Sequence, residues 1–224
     1  MGRSSGGQVC LSRIEVFGAY LMPSGAWARG IVFMAAAIWV ALAFILGVPV
    51  DKLWLKYVGV IAALVVLLLL AFDVFAWRWL PEWIVKRPNI RGTWRAELRS
   101  NWLKDDGQPL VSECFIVIHQ TYTTMCVEVL FPGSDSTSTS ADIVKGGGRP
   151  SLWYTYRSEA HAPNRDGNPP HRGAVSLFVE TSPRRSLAGD YWTERGTTGR
   201  IQTSGHSKKI AGSFMSAQSL DYAS

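Results

Sequence analysis

Cysteine is scarce in this sequence, and the three present, Cys10, Cys114 and Cys126, follow no spacing rule. An odd, unpatterned set builds neither a disulfide framework nor a metal site, and it fits a reducing compartment. Histidine is as sparse, with four residues. His161 and His171 share one loop, HAPNRDGNPPH, whose Pro, Asn and Gly content marks an exposed excursion. No further ligand pattern accompanies that pair, and His119 and His206 stand alone. Also missing are a strained serine elbow, a helical zinc motif and a phosphate loop opening a helix. Gly146-Gly147-Gly148 precedes no helical pattern and reads as a flexible turn. These absences predict a protein that is not an enzyme and holds no cofactor or metal. A strong charge bias is missing from the larger part of the chain. The formal net charge is +6, yet residues 91–224 hold fifteen Lys/Arg against thirteen Asp/Glu. That near balance excludes a basic face for duplex DNA or RNA.

What is present in excess is apolar run length. Gly30–Val50 is 21 residues without a charge, and 21 helical residues reach roughly 30 Å, the thickness of a bilayer core. Asp51, Lys52 and Lys56 interrupt; Tyr57–Phe72 is again uncharged, and Asp73 follows. The sequence predicts two transmembrane α-helices forming a hairpin over residues 30–79, with Asp73 near the headgroups. Trp27, Trp54, Trp77, Trp79 and Trp83 fall where an aromatic belt belongs. Ala37 with Ala41, Ala43 with Gly47, and Gly59 with Ala63 are small residues four apart, a face on which the hairpin packs against itself. Lys and Arg are richer in the flanks than in the short loop, so both termini are expected in the cytoplasm of a multi-pass inner-membrane protein. Residues 1–29 read as a flexible or interfacial lead-in and 80–89 as a linker bounded by Pro81 and Pro88.

From residue 90 onward the period changes from helical to alternating. Strands are expected at 91–99, 111–119, 122–131, 136–145, 151–158, 173–181, 187–195 and 199–205, with a possible ninth at 209–217. Evenly spaced strands joined by short turns predict an all-β, up-and-down, eight-stranded barrel over residues 90–224. Arg91-Gly92-Thr93-Trp94 opens the first strand with the glycine-x-tryptophan pattern seen where lipocalin-like barrels begin; the indole there plugs one end. Alternation along 187–195 sends Leu187, Gly189, Tyr191, Thr193 and Arg195 to one face, taken as the inward one. An inward arginine needs a partner, either a carboxylate such as Glu128 or Glu180 or an anionic ligand. Tyr154 and Tyr156 share a strand face and offer stacking planes. Residues 136–140 (STSTS) add hydroxyls, and together these are the groups that a nucleotide requires. Tyr, Trp and Thr are also simply good strand formers. The candidate ligand-binding set is Tyr154, Tyr156, Tyr191, Thr193 and Arg195.

The order hairpin then barrel, together with PNIRGTW (88–94), LWYTY (152–156), HRG (171–173) and GDYWTER (189–195), resembles the CD-NTase-associated transmembrane β-barrel effectors of bacterial CBASS anti-phage operons. The similarity spans about 30–205. It implies a cytoplasmic barrel that receives a cyclic dinucleotide made by a partner CD-NTase. Homo-oligomerisation, disruption of the inner membrane bilayer and abortive infection would follow as antiviral defence. Two other readings stand beside it: a membrane-tethered lipocalin-like carrier of a small apolar ligand, and a ligand-free membrane scaffold.

Overall fold

The computed structural model describes residues 34, 37–38, 52–81, 84–85, 87–103, 107–146, 149–164, 167–180 and 185–223. The lead-in 1–29, most of the first expected span, and Gly147 and Gly148 lie outside them. The chain divides into two compact units. One comprises residues 1–85 with 121–123, and the other residues 86–120 with 124–224.

In the first unit, Met34, Ala37 and Ile38 are helical and α1 runs unbroken over Lys52–Val74. A 3-10 turn over Ala76–Trp79 follows. Among the described residues no helix is long and apolar enough to cross a membrane. The transmembrane hairpin expected for 30–79 is therefore not shown. Nor does Asp73 stand free: its carboxylate accepts from the amide and hydroxyl of Thr123 at 2.8 and 2.7 Å. Tyr122 packs edge-on against Phe72, with ring centres 5.1 Å apart, and against Trp77.

The second unit is a closed barrel of eight antiparallel strands in sequence order. They are β1 (Gly92–Leu103), β2 (Pro109–Gln120), β3 (Met125–Leu130), β4 (Ser134–Gly146), β5 (Arg149–Ala160), β6 (His171–Glu180), β7 (Ser186–Thr193) and β8 (Thr198–Ser207). Closure follows from β8 pairing with β1, Trp94 opposite His206 and Arg99 opposite Arg200. Successive side chains point to opposite faces, so one set fills the interior: Trp94, Ala96, Cys114, Ile116, Ile118, Val127, Val129, Leu152, Tyr154, Val175, Leu177, Leu187, Tyr191 and Ile201 are all buried in one cluster.

β2 departs from simple alternation. Phe115 and Val117 point away from the interior, yet both are fully buried, as are Ile116 and Ile118. A strand apolar on both faces must be covered on both. The cover is the C-terminal segment. Ala211, Phe214, Ala217, Leu220 and Tyr222 pack on Phe115, Val117 and Leu130. The ninth strand expected at 209–217 is thus not a strand. The chain leaves the barrel after Ser207 and forms a short helix, α2 (Phe214–Gln218), started by a capping box between Ser213 and Ser216. Ala223 then bridges back to His206.

Candidate functional site

The two ends of the barrel are built differently. One end is closed by its own side chains. Gly92 has φ +139°, and a Cβ there would stand 2.3 Å from the carbonyl oxygen of Ser207 and 2.5 Å from the His206 ring. The close approach that this glycine permits seats the indole of Trp94 on His206, ring centres 4.2 Å apart. The indole nitrogen donates to the carbonyl of Ile90 at 3.0 Å. Gln120 fastens the incoming chain, accepting from the amide of Ile90 and donating to the carbonyl of Pro88, each at 2.9 Å. The plug expected from the glycine-x-tryptophan pattern is present.

The opposite end carries the connections 131–133, 161–164, 167–170 and 194–197, and its inward side chains are hydroxylic. Tyr154 is opposite Val175 on β6, which is opposite Tyr191 on β7. One step nearer the rim, Tyr156 is opposite Gly173, and Gly173 is opposite Thr193. Ser100, Ser136 and Ser158 are buried at this end. The tyrosines are held in place by missing side chains across the sheet. A Cβ on Gly173 would lie 2.5 Å from the Tyr156 phenol, and one on Gly199 would lie 2.6 Å from the Tyr191 ring. Tyr154 and Tyr156 have ring centres 6.2 Å apart, and Tyr156 meets the His171 ring edge-on at 6.4 Å.

Burial dominates the electrostatics of this cluster. It raises Tyr154 well above the ordinary phenol range, pushes Tyr156 up to about 12 and Cys114 up to about 12. Tyr191 is raised by burial too, an effect opposed by its hydrogen bond with Ser100. All four stay neutral at physiological pH. The buried Tyr154 hydroxyl has no hydrogen-bond partner among the described residues.

Of the residues singled out in the sequence, the structure therefore brings Tyr154, Tyr156, Tyr191 and Thr193 to one end, facing inward. Tyr154 and Tyr191 are buried at 3% and 7% exposure, so an incoming molecule meets Tyr156 first. Arg195 is a correction. β7 stops at Thr193, and a turn closed by Gly196 at φ +78° follows. Arg195 is exposed on that turn, and its guanidinium donates to Asn168 Oδ1 at 3.1 Å and to the carbonyl of Pro169. It neither points inward nor pairs with Glu128 or Glu180. It ties the 161–170 loop to the 194–197 turn.

Two further cations come from a pairing that the sequence does not announce. Arg157 on β5 sits directly opposite Arg172 on β6. With Pro170, His171 and Glu194 they line a cavity of about 290 Å³ outside the rim. Arg157 is held by Glu159 at 2.9 Å, and the Arg172 amide donates to Glu194 at 2.8 Å. Among the described residues the Arg172 guanidinium makes no hydrogen bond or ion pair. His171, lowered chiefly by burial, is neutral near pH 7. Its ring belongs to both the cavity and the tyrosine cluster. His161 pairs instead with Asp135 at 2.9 Å. No group of metal-ligand type occurs among the described residues. Stacking planes, neutral hydroxyl donors and paired guanidiniums make this end suited to a planar, anionic molecule.

Residues 85–204 match the family model described as "Cap15, cyclic dinucleotide receptor domain". The chain belongs to that family. A curated relative, "CD-NTase-associated protein 15" of Staphylococcus schleiferi, is 28% identical over 150 residues, which cover 66% of this chain and 79% of that protein. The resemblance to the CBASS barrel effectors is thereby shown. The Cap15 match contains the whole tyrosine and arginine end and stops before the C-terminal cover that packs on β2.

Proposed function

We propose that this chain is a non-enzymatic receptor whose barrel binds a cyclic dinucleotide at the tyrosine end. A partner CD-NTase makes the ligand as an antiviral signal. The observation that carries this reading is one rim offering Tyr156 and His171 as stacking planes beside the opposed Arg157 and Arg172, inside the Cap15-matched residues. A phosphodiester between two facing guanidiniums relieves their repulsion and accepts charge-assisted hydrogen bonds. The filled interior speaks against the lipocalin-like carrier, since packed side chains occupy the lumen that an apolar ligand would need. The scaffold reading leaves the arginine pair without a purpose.

The further steps are part of the same proposal. The apolar content of 30–79 supports anchorage in the bacterial inner membrane as a two-helix hairpin, with Lys56 and Asp73 reaching the headgroups. Ligand binding then drives homo-oligomerisation only if the assembled state binds the ligand better than the monomer does. Assembly of the anchors disrupts the bilayer and causes abortive infection.

Calorimetric titration of the full chain in non-ionic detergent with a panel of cyclic dinucleotides tests the receptor step. One member should bind, and Arg172→Ala should weaken it by about ten- to a hundredfold. If no cyclic dinucleotide binds, or if the Arg172 and Tyr156 variants bind as the parent does, the reading fails.

A further inference from the structure

A second cationic surface lies on the outer wall of the barrel, along β1 and β8. Arg99 on β1 is directly opposite Arg200 on β8, and one step along Glu97 is opposite Gln202. Arg185 joins them from the segment entering β7. These residues, with Ser186, Thr203 and Ser204, line a groove of about 500 Å³.

The charges in the groove do not cancel. Glu97 engages Arg99 at 2.6 Å. Among the described residues Arg185 reaches only the carbonyl of Asn89, at 3.5 Å. Arg200 has Arg99 on one side and Asp190 on the other in the strand register. No hydrogen bond or ion pair of its guanidinium occurs among the described residues. The nearby hydroxyls are partly used: Ser186 donates to Glu180 at 3.0 Å, and Thr203 accepts from the amide of Leu187 at 2.8 Å. Like charges placed directly across two strands are destabilising. Three arginines against Glu97 in the lining and Asp190 beside Arg200 in the register leave the groove net positive, which favours a bound anion.

We infer that this groove is an anion site for a phosphate-bearing ligand, separate from the tyrosine rim. Arg200 and Arg185 grip the phosphate oxygens, and Arg99 and the Gln202 amide flank them. Arginine forks match phosphate oxygens two at a time, which distinguishes this site from a general positive potential. The phosphate could come from a free phosphorylated metabolite or from an anionic lipid headgroup. The site does not depend on a cyclic dinucleotide binding at the rim.

Thermal melts of the full chain in non-ionic detergent test it, with pyrophosphate compared against chloride at equal ionic strength so that simple screening is matched. Pyrophosphate should raise the melting temperature of the parent and of Arg172→Ala, and should leave Arg200→Gln unmoved. Arg200→Gln without added anion should melt no lower than the parent, because a like-charge pair has been removed. A parallel arm replaces pyrophosphate with short-chain phosphatidylglycerol in the micelle, controlled by short-chain phosphatidylcholine. A response confined to one arm names the source, and either response supports the site. The inference is overturned if neither probe exceeds its control, or if Arg200→Gln keeps the full gain. It is equally overturned if Arg200→Gln abolishes cyclic dinucleotide binding, which would make the groove the receptor site itself. Failure of the rim, by contrast, shows as lost dinucleotide binding in Arg172→Ala with the pyrophosphate shift intact.

Discussion

The closed end and the tyrosine end of the barrel use the same strands and differ in what their inward residues can do. At the closed end the Trp94 indole, the Gln120 amide and the His206 ring each have a backbone partner, at Ile90, at Ile90 and Pro88, and at Arg91. At the other end Tyr154 is buried with its hydroxyl unpaired, and two arginines face each other at the rim. The first arrangement is what stability asks for. The second carries local costs that a ligand can relieve, as binding sites commonly do. Substitutions that separate stability from binding can break or sharpen this contrast.

The largest effect is expected at the closed end. Trp94→Ala removes a side chain that is 1% exposed and should lower stability by about 3–5 kcal/mol, measured by chemical denaturation. Any folded fraction should retain its affinity for a cyclic dinucleotide. An equal loss of affinity in that fraction would mean that the two ends are not separable.

Gly173→Val comes next. Its side chain would occupy the space of the Tyr156 phenol, so the ring must swing away. Stability should fall by about 1–3 kcal/mol, and ligand binding should be lost at protein concentrations where the variant remains folded. Intact binding would show that Tyr156 has no part in it.

Alkaline pH should act on the tyrosine end first. Cys114 is raised from 9.0 to about 12 and Tyr156 from 10.0 to about 12, both chiefly by burial. Their folded forms hold the proton more tightly than their unfolded forms do. That contribution to stability is complete below pH 9 and is lost progressively as pH rises towards 12. A loss of about 1–2 kcal/mol by pH 10 is expected, and Cys114→Ala should remove the earliest part of the slope. A parent melting temperature that stays flat from pH 8 to 11 would contradict the burial of these groups.

Tyr154→Phe should have the smallest effect on the free protein, neutral or stabilising by up to about 1 kcal/mol, since it deletes a buried hydroxyl that has no partner. If the hydroxyl meets the ligand, the same variant loses affinity while gaining stability. A variant less stable than the parent would show that the hydroxyl is already paired in the free barrel.

The eight strands, their order, the shared face of Tyr154 and Tyr156 and the inward parity of Tyr191 were legible in the sequence, because alternation and turn residues are local signals. Arg195 was misread where the local signal ended. The alternation was carried two residues past Thr193, into a turn that Gly196 closes. The C-terminal helix was missed although two cues were present, the doubly apolar run Phe115–Ile118 and the Ser213–Ser216 cap. The first says that an outer cover must exist without saying which segment supplies it. The facing pairs Arg157–Arg172 and Arg99–Arg200 depend on strand register across 15 and 101 residues, which composition and spacing do not encode.

Hydrogen–deuterium exchange of the full chain, with and without its cyclic dinucleotide, tests the central claim most directly. The rim reading predicts added protection in residues 154–158, 171–174 and 191–198, and no change in 88–94 and 204–207 at the closed end. Protection appearing at the closed end, or along the Arg99–Arg200 wall with the rim unchanged, would contradict it.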